Sequence, residues 1–227
     1  MQFITEQELR DLFSKGIPEE YLLPQGARLT PAAKQYLVDL RLYRSLIVRQ
    51  SQPVKLSGKK PEHITNLDAK ELTHKSHPRI ALRGKLDSLE ADIILAQITA
   101  LQAGAQNFTA PLEEALTLVW RVLAADVTGK PLGVWLLGGM TADQIREASH
   151  HPQQYGFPGH VLPSAKQGMM AAIFNQLRTK VRETELTVIA AFCAGDNPCT
   201  REDLLLAMNR LSSYFYILQL QAIKGQG

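Results

Sequence analysis

Hydrophobic residues between positions 78 and 103 recur with the period of an α-helix. One apolar stripe advances by alternating steps of four and three residues, and a second stripe lies beside it. The first comprises Leu82, Leu86, Leu89, Ile93, Ala96 and Ala100, and the second comprises Ile94, Ile98 and Leu101. A helix that is apolar on two sides is typical of a buried position. The pattern predicts a long helix at the centre of a bundle, with both stripes buried.

The same period predicts three more long helices in the second half of the chain. They begin near Thr109, at Ala165 and after Thr200, and the one from Ala165 runs to about Ala194. Thr200 is placed to cap the last helix. The apolar stripes are, in chain order, Leu112, Leu116, Val119 and Leu123; Met170, Ile173, Leu177, Val181, Val188 and Phe192; and Leu204, Met208, Leu211, Phe215, Leu218 and Ala222. Four long helices with regular apolar seams predict an all-α bundle.

Shorter features separate these helices. Residues 128–140 are rich in glycine and are predicted to form a loop. Thr141 and Gln144 have the spacing of a capping box, which predicts a short helix that ends before Pro152. Residues 151–164 contain apolar side chains without a helical period, a composition that suits a binding loop.

The beginning of the chain has a different organisation. The segment from Thr5 to Ser14 predicts a short helix, and Thr30 followed by Pro31 predicts the start of a second helix within residues 29–40. Proline favours the first helical position because its missing N–H would have no partner there.

A linker is predicted after this N-terminal part. Residues 42–50 have the composition of a short strand, and residues 51–61 are rich in Pro, Gly, Ser and Lys. We therefore expect an N-terminal cap with its linker at 1–61 and a helical-bundle domain at 62–227.

Charge and composition exclude several functions. The chain has 227 residues and a net charge of +3 that is spread along it, so no basic patch indicates binding to nucleic acid. No apolar stretch approaches the roughly 20 residues that span a bilayer, and the N-terminus lacks the pattern of a signal peptide. The two cysteines, Cys193 and Cys199, form neither a disulfide framework nor a metal-ligand set. We expect a cytoplasmic protein in a reducing setting.

One charged face of the long helix is a candidate site. Arg178, Arg182 and Glu185 are spaced by four and three residues and therefore project from the same face. Arginines one turn apart present forked donors that fit phosphate oxygens, which predicts a site for a polyphosphate nucleotide. A solvated surface with pairs inside the helix is the alternative.

Two residues on other helices favour the binding site. Asp87 lies in an otherwise apolar helix and requires a cationic partner, for which Arg182 is a candidate. Asn209 lies beside the apolar stripe of the last helix, where a polar strip faces either a ligand or a hydrogen-bond network of the core.

A metal site is a rival prediction. Glu71 with His74, and Glu147 with His150, form two Glu-x-x-His pairs of the kind that di-iron bundles use. Each pair lies in or beside a short segment rather than on a long bundle helix, which makes this function less favoured.

Three segments together resemble the corrinoid adenosyltransferases. They are HKSHPRIALRGKLDSLEA (74–91), LRTKVRETE (177–185) and MNRLSSYFYIL (208–218), and they occur in the family's order. The last is similar to the family's Asn-Arg-Leu-Ser-Asp motif. The resemblance covers roughly residues 62–220. Three segments are most similar to the ethanolamine-utilisation branch: LTPAAKQYL near the N-terminus, LTHKSHPRI and LRTKVRETE.

The resemblance implies a fold, a reaction and an assembly. The fold is a ferritin-like five-helix bundle, here with a small N-terminal extension. The reaction transfers the 5′-deoxyadenosyl group of ATP to Co(I) of cobalamin and releases tripolyphosphate, with Mg²⁺ to assist. The assembly is a homo-oligomer with ATP between subunits. The broad family favours a trimer, and a dimer or tetramer stays open.

The resemblance also implies roles for individual residues. By position, Arg182 matches the arginine that pairs with the aspartate of the first bundle helix, here Asp87, across subunits. Glu185 and Asn209 match ATP-site residues. The list of implied ATP contacts is completed by Lys75, from the Ser-Lys element, and Arg178, one turn before Arg182.

Further expectations concern cobalamin and the physiological setting. Phe157, Val161 and Leu162 lie where the family has an apolar wall beneath the corrin; a surface loop or core contacts are the alternative. The branch implies coenzyme supply to ethanolamine ammonia-lyase, with that enzyme or its reactivase as a partner, near a bacterial microcompartment.

The sequence departs from the family in three places. The usual Thr-Gly-Asp-x-Gly-x-Thr nucleotide loop is absent, and Thr65 within 63–71 is its expected replacement. Leu186 occupies the position of an arginine. The upstream cysteines of some ethanolamine-type members are absent, so we expect no structural iron or zinc. These departures keep open a non-catalytic corrinoid or nucleotide carrier, and a di-metal bundle is the third hypothesis.

Overall fold

The chain forms two compact units, Met1–His74 and Lys75–Gly227. A computed structural model describes residues 2–14, 16, 21, 27–40, 60–193 and 199–225. The strand expected over 42–50 and most of the linker expected over 51–61 lie outside the described residues. The domain boundary expected at 61/62 stays a prediction.

The first unit starts with two short βα segments. The elements are β1 (Gln2–Ile4), α1 (Glu6–Leu12), β2 (Ala27–Leu29) and α2 (Pro31–Asp39), and β1 pairs with β2 in parallel. Thr5 caps α1 through a capping box, and Thr30 caps α2 with Pro31 at its first turn. Both predicted helices are confirmed. The strands of three residues were not predicted, because they are too short to show an alternating pattern.

A hairpin completes the described part of this unit. Strand β3 (Ile64–Asn66) pairs antiparallel with β4 (Leu72–His74), and Thr65 lies opposite Thr73. The Asp68 carboxylate stabilises the connecting turn, because Oδ1 accepts hydrogen bonds from the backbone N–H groups of Lys70 and Glu71.

The described residues of the second unit form five α-helices, which confirms the predicted helical bundle. They are α3 (Pro78–Gln102), α4 (Thr109–Thr128), α5 (Ala142–His150), α6 (Gly168–Phe192) and α7 (Glu202–Lys224). The capping box of Thr141 and Gln144 starts α5 as predicted. Helix α6 begins three residues later than expected, because a 3₁₀ turn over Ala165–Gln167 ends at Gly168, where φ is +77°.

The core confirms one apolar stripe of α3 and corrects the other. All six residues of the first stripe, from Leu82 to Ala100, are buried. Ile94, Ile98 and Leu101 remain 38%, 47% and 55% exposed, so α3 is not central. The reason is geometric: α3 packs against α6 and α4, and these two neighbours cover only one side of it.

The junction of α6 and α7 overturns two further expectations. Arg201, not Thr200, is the N-cap of α7, and the Thr200 hydroxyl donates to the Phe192 carbonyl at 3.1 Å. The cysteines were expected to be unpaired, but a disulfide joins Cys193 to Cys199. Their Cα atoms lie 4.2 Å apart at a sequence separation of six. In the described part of the chain, no helix has the length and apolar character needed to cross a bilayer.

Candidate active site

A cavity of about 730 Å³ lies at α5 and α7 and extends to α6. Its wall includes Arg146 from α5, Glu185 from α6, and Asn209 and Arg210 from α7. The volume falls within the range of roughly 300–1,000 Å³ that is usual for small-molecule sites. Two of the residues expected from the sequence, Glu185 and Asn209, are therefore in its wall.

Glu185 and Asn209 are in direct contact. Asn209 Nδ2 donates a hydrogen bond to Glu185 Oε1 at 2.9 Å. The two residues meet because α6 and α7 are consecutive helices that pack extensively against each other. Asn209 is exposed and Glu185 is half-buried, so both are accessible from the cavity.

Arg178 and Arg182 have different environments. Arg178 is half-buried and donates from Nη2 to Asn175 Oδ1 at 3.1 Å, while its buried Nε has no partner among the described residues. Arg182, one turn later, is exposed and makes no hydrogen bond or ion pair within the described chain. The two arginine side chains therefore differ in exposure and in hydrogen-bond partners, although they are one helical turn apart.

Asp87 is also exposed and unpaired within the described part of a single chain. An ion pair between α3 and α6 is formed instead by Lys85 and Glu183, with Nζ and Oε2 3.0 Å apart. That ion pair lowers the pKa of Glu183 through its hydrogen bond and charge. Among the described residues of a single chain, Asp87 and Arg182 do not pair with each other.

The two remaining candidates for ATP lie before the bundle helices. Lys75 is exposed and is the first residue of the second unit. Thr65 is half-buried on β3 in the first unit. Their roles stay predictions.

The loop before α6 is anchored on Tyr216 of α7. His160 Nδ1 lies 2.9 Å from the Tyr216 hydroxyl oxygen, and the two rings stack with centroids 6.0 Å apart. Burial raises the pKa of Tyr216, while the backbone N–H of Val161 and the charge of Arg178 lower it to a smaller extent. The hydroxyl is therefore neutral near pH 7. The hydroxyl and His160 Nδ1 share one hydrogen bond, whose donor depends on the tautomer of the imidazole.

The expected apolar wall has three different parts. Phe157 is half-buried and packs against the core of the bundle. Val161 is half-buried beside Tyr216, and Leu162 is 89% exposed. The Leu162 carbonyl accepts a hydrogen bond from Gln167 Nε2 at 2.8 Å, so the exposed leucine belongs to an anchored segment.

The described residues do not assemble the rival metal site. Glu71 and His74 belong to the first unit, and Glu147 pairs with His151 at 3.8 Å rather than with His150. Within these residues, no group of three or more His, Cys, Asp and Glu side chains is placed to hold a metal ion.

Sequence comparison identifies the chain. Residues 56–222 match the family "Cobalamin adenosyltransferase", and residues 3–49 match the family "Corrinoid adenosyltransferase EutT N-terminal domain". The chain belongs to the cobalamin adenosyltransferase family. Within this family it is 31% identical over 253 residues to the corrinoid adenosyltransferase EutT of Escherichia coli strain K12. That alignment covers 99% of this chain and 93% of the E. coli protein. The corrinoid adenosyltransferase EutT of Salmonella typhimurium is also 31% identical, in an alignment that covers 97% of this chain and 92% of the Salmonella protein.

Solved structures of adenosyltransferases share the fold. A variant PduO-type ATP:co(I)rrinoid adenosyltransferase from Lactobacillus reuteri, complexed with ATP, aligns with a TM-score of 0.54 and 18% identity over 76% of this chain and 95% of that chain. A second variant from the same organism, a PduO-type ATP:corrinoid adenosyltransferase complexed with cobalamin and ATP, aligns with a TM-score of 0.55 and 20% identity. The alignment covers 73% of this chain and 88% of that chain. At such identities the likeness supports the bundle fold of this family member.

Sequence reasoning did not predict the contacts of two residues of this adenosyltransferase. Arg210 was within the motif that identified Asn209, but nothing in the pattern showed that its side chain would be buried beside the cavity. Tyr216 is the other, and its contact with His160 joins residues 56 positions apart. A contact across that separation has no periodic signal in the sequence.

Proposed function

We propose that this chain transfers the 5′-deoxyadenosyl group of ATP to Co(I) of cobalamin and releases tripolyphosphate. Membership of the family supports the reaction class. The observation that carries the site is the contact between Glu185 and Asn209 in the wall of a cavity of about 730 Å³. The two residues come from different helices, so folding is needed to form this pair.

The transfer requires positioning and charge neutralisation rather than a side-chain base. The electron pair of Co(I) attacks C5′ of ATP and forms the cobalt–carbon bond. The bond between C5′ and its oxygen breaks at the same time, and the triphosphate leaves with that electron pair. The protein must hold C5′ in line with cobalt and stabilise the negative charge of the leaving group.

Cationic side chains would stabilise the triphosphate. Arg182 and Lys75 are exposed and available, and the partly buried Arg178 lies one turn from Arg182. Thr65 would replace the contact of the absent glycine loop. Mg²⁺ would neutralise phosphate charge, and the carboxylate of Glu185 in the cavity wall is a ligand type that this ion accepts.

Cobalamin would contact the segment that contains Phe157, Val161 and Leu162. A leucine that is 89% exposed on an anchored segment offers an apolar surface for the lower face of the corrin. That contact would displace the lower ligand of cobalt and ease its reduction. The anchored backbone around Val161 would hold the surface in place.

Tyr216→Phe tests this role of the loop. Loss of the hydroxyl removes the hydrogen bond to His160, at a cost of about 1–2 kcal/mol in loop stability. We expect the KM for cobalamin to rise about tenfold, while the KM for ATP changes little. Steady-state kinetics with each substrate varied would measure both. Equal changes in the two KM values would contradict a specific role at the corrin.

Assembly into a homo-oligomer would complete the site. The exposed stripe of Ile94, Ile98 and Leu101 on α3 provides an apolar surface for a neighbouring subunit. Asp87 and Arg182, both exposed, would pair across that contact. The family resemblance favours a trimer over a dimer or tetramer. The setting we propose is cytoplasmic coenzyme supply to ethanolamine ammonia-lyase, with that enzyme or its reactivase as partner and a microcompartment nearby.

The decisive experiment is an anaerobic assay. Purified protein is incubated with ATP, Mg²⁺ and chemically reduced cobalamin, and the absorption spectrum is followed. Formation of adenosylcobalamin with release of tripolyphosphate is expected. Binding of both substrates without product would instead support a carrier, a function favoured by one observation: Leu186, 66% exposed, stands where the family has an arginine.

A further inference from the structure

Arg210 is a buried cation at the wall of the candidate site. Its side chain lies on α7 and the residue is only 9% exposed, which is unusual for arginine. Burial lowers the pKa of Arg210, and the nearby charge of Arg146 lowers it further, whereas Asp143 and Glu185 raise it. Removing a guanidinium from water costs free energy, so a buried arginine beside a cavity indicates a functional role.

The hydrogen bond of Arg210 leads to the candidate ATP site. Nη1 donates to Oδ1 of the neighbouring Asn209, while Nε is buried and has no partner in the part of the chain that the structure describes. Asn209 in turn donates from Nδ2 to Glu185. The three side chains form a relay from a buried arginine, through an exposed amide, to a carboxylate on the next helix.

This relay fixes the orientation of the Asn209 amide. A guanidinium can only donate and an ionised carboxylate can only accept. The amide therefore satisfies both neighbours in one orientation, with Oδ1 towards Arg210 and Nδ2 towards Glu185. One N–H of Nδ2 and one lone pair of Oδ1 remain for a ligand. Without Arg210, the χ2 torsion of an exposed asparagine has a broad range.

We propose that Arg210 is a positioning residue that holds the Asn209 amide in a fixed orientation against the adenosine part of ATP. The inference rests on the proposed function and assigns Arg210 no contact with the reacting atoms. A fixed donor and acceptor match a ligand edge that offers an acceptor beside a donor, as N7 and the N6 amino group of adenine do. Fixing them before binding avoids an entropic cost when ATP binds.

A double-mutant cycle on ATP binding tests this role. Arg210→Met, Asn209→Ala and the double variant are compared by isothermal titration with ATP and Mg²⁺. Arg210→Met alone is expected to raise the ATP dissociation constant about tenfold. In the Asn209→Ala background it should add less than about twofold, because there is no amide left to orient. Arg210→Lys, which keeps a donor, is expected to restore most of the affinity.

Controls separate positioning from folding. Arg121 on α4 is a half-buried arginine that donates to the backbone carbonyls of Leu132 and Val134 and does not line the cavity. Arg121→Met should lower thermal stability while leaving the ATP dissociation constant unchanged. If Arg210→Met does not fold, Arg210→Gln takes its place in the cycle. If neither variant folds, Arg210 is needed for folding itself and the proposal is overturned.

Other outcomes also decide between the hypotheses. Additive losses in the double variant, or wild-type affinity in folded Arg210→Met, would overturn the role of Arg210 even if adenosyl transfer is confirmed. A wild-type protein that binds ATP but forms no adenosylcobalamin would contradict only the proposed reaction, since the cycle can still be measured. A wild-type protein that binds no ATP would overturn both.

Discussion

Replacing either Asp87 or Arg182 by alanine is expected to lower kcat/KM for adenosyl transfer by at least about 30-fold. Both side chains are exposed and without a partner in the described part of a single chain. Our proposal pairs them across subunits, where truncation would leave one charge without its partner next to the triphosphate. The measurement is the initial rate of adenosylcobalamin formation at varied ATP concentration, with the oligomeric state of each variant determined by sedimentation.

The neighbouring ion pair provides the control. Lys85 and Glu183 lie on the same two helices, within two residues of Asp87 and Arg182, but they pair with each other inside one chain. Their side chains are 45% and 52% exposed, and such surface pairs contribute little. Lys85→Ala should therefore keep activity near that of the wild type. If Asp87→Ala and Arg182→Ala do the same, the site assignment is wrong.

Asp126→Asn is expected to reduce the free energy of unfolding by about 3–5 kcal/mol. The Asp126 carboxylate is fully buried at the end of α4 and accepts from Arg79 Nε at 2.7 Å and from Arg83 Nε at 2.6 Å. Arg79 Nη2 also donates to the Asp126 carbonyl at 2.6 Å. An amide in this position is neutral, and its NH₂ group would face one of the guanidinium groups as a second donor.

Urea unfolding followed by circular dichroism would measure this loss. A lower midpoint with an unchanged dependence on urea concentration indicates a change in stability alone. Lys85→Ala again serves as the control, because it removes an exposed ion pair from the same unit. A midpoint for Asp126→Asn within experimental error of the wild type would show that the two arginines find other partners.

The candidate site shows how much of the residue placement could be predicted from the sequence. Glu185 and Asn209 were predicted from spacing and from the family motif, and the structure brings them to 2.9 Å. Arg210 was missed although it is the next residue, since a motif does not reveal which way a side chain turns on its helix. Tyr216 was placed in the polar strip beside Asn209, but its contact with His160 was not predicted because it is long-range.

The sequence by itself determined the helices, most of their caps and the family. A helical period and a capping box act over a few residues, so Thr5, Thr30 and Thr141 begin helices wherever the rest of the chain lies. Thr200 was the exception, because its hydroxyl bonds the end of α6 instead. The family motifs are likewise local strings of residues.

Only the tertiary structure decided which faces are covered and which charges meet. Both stripes of α3 are apolar in sequence, yet one is buried and the stripe of Ile94, Ile98 and Leu101 is exposed. Arg182 and Asp87 remain apart within one chain, while Lys85 and Glu183 pair. Burial and pairing depend on the neighbours that packing supplies, and a helical period carries no information about how many neighbours a helix will have.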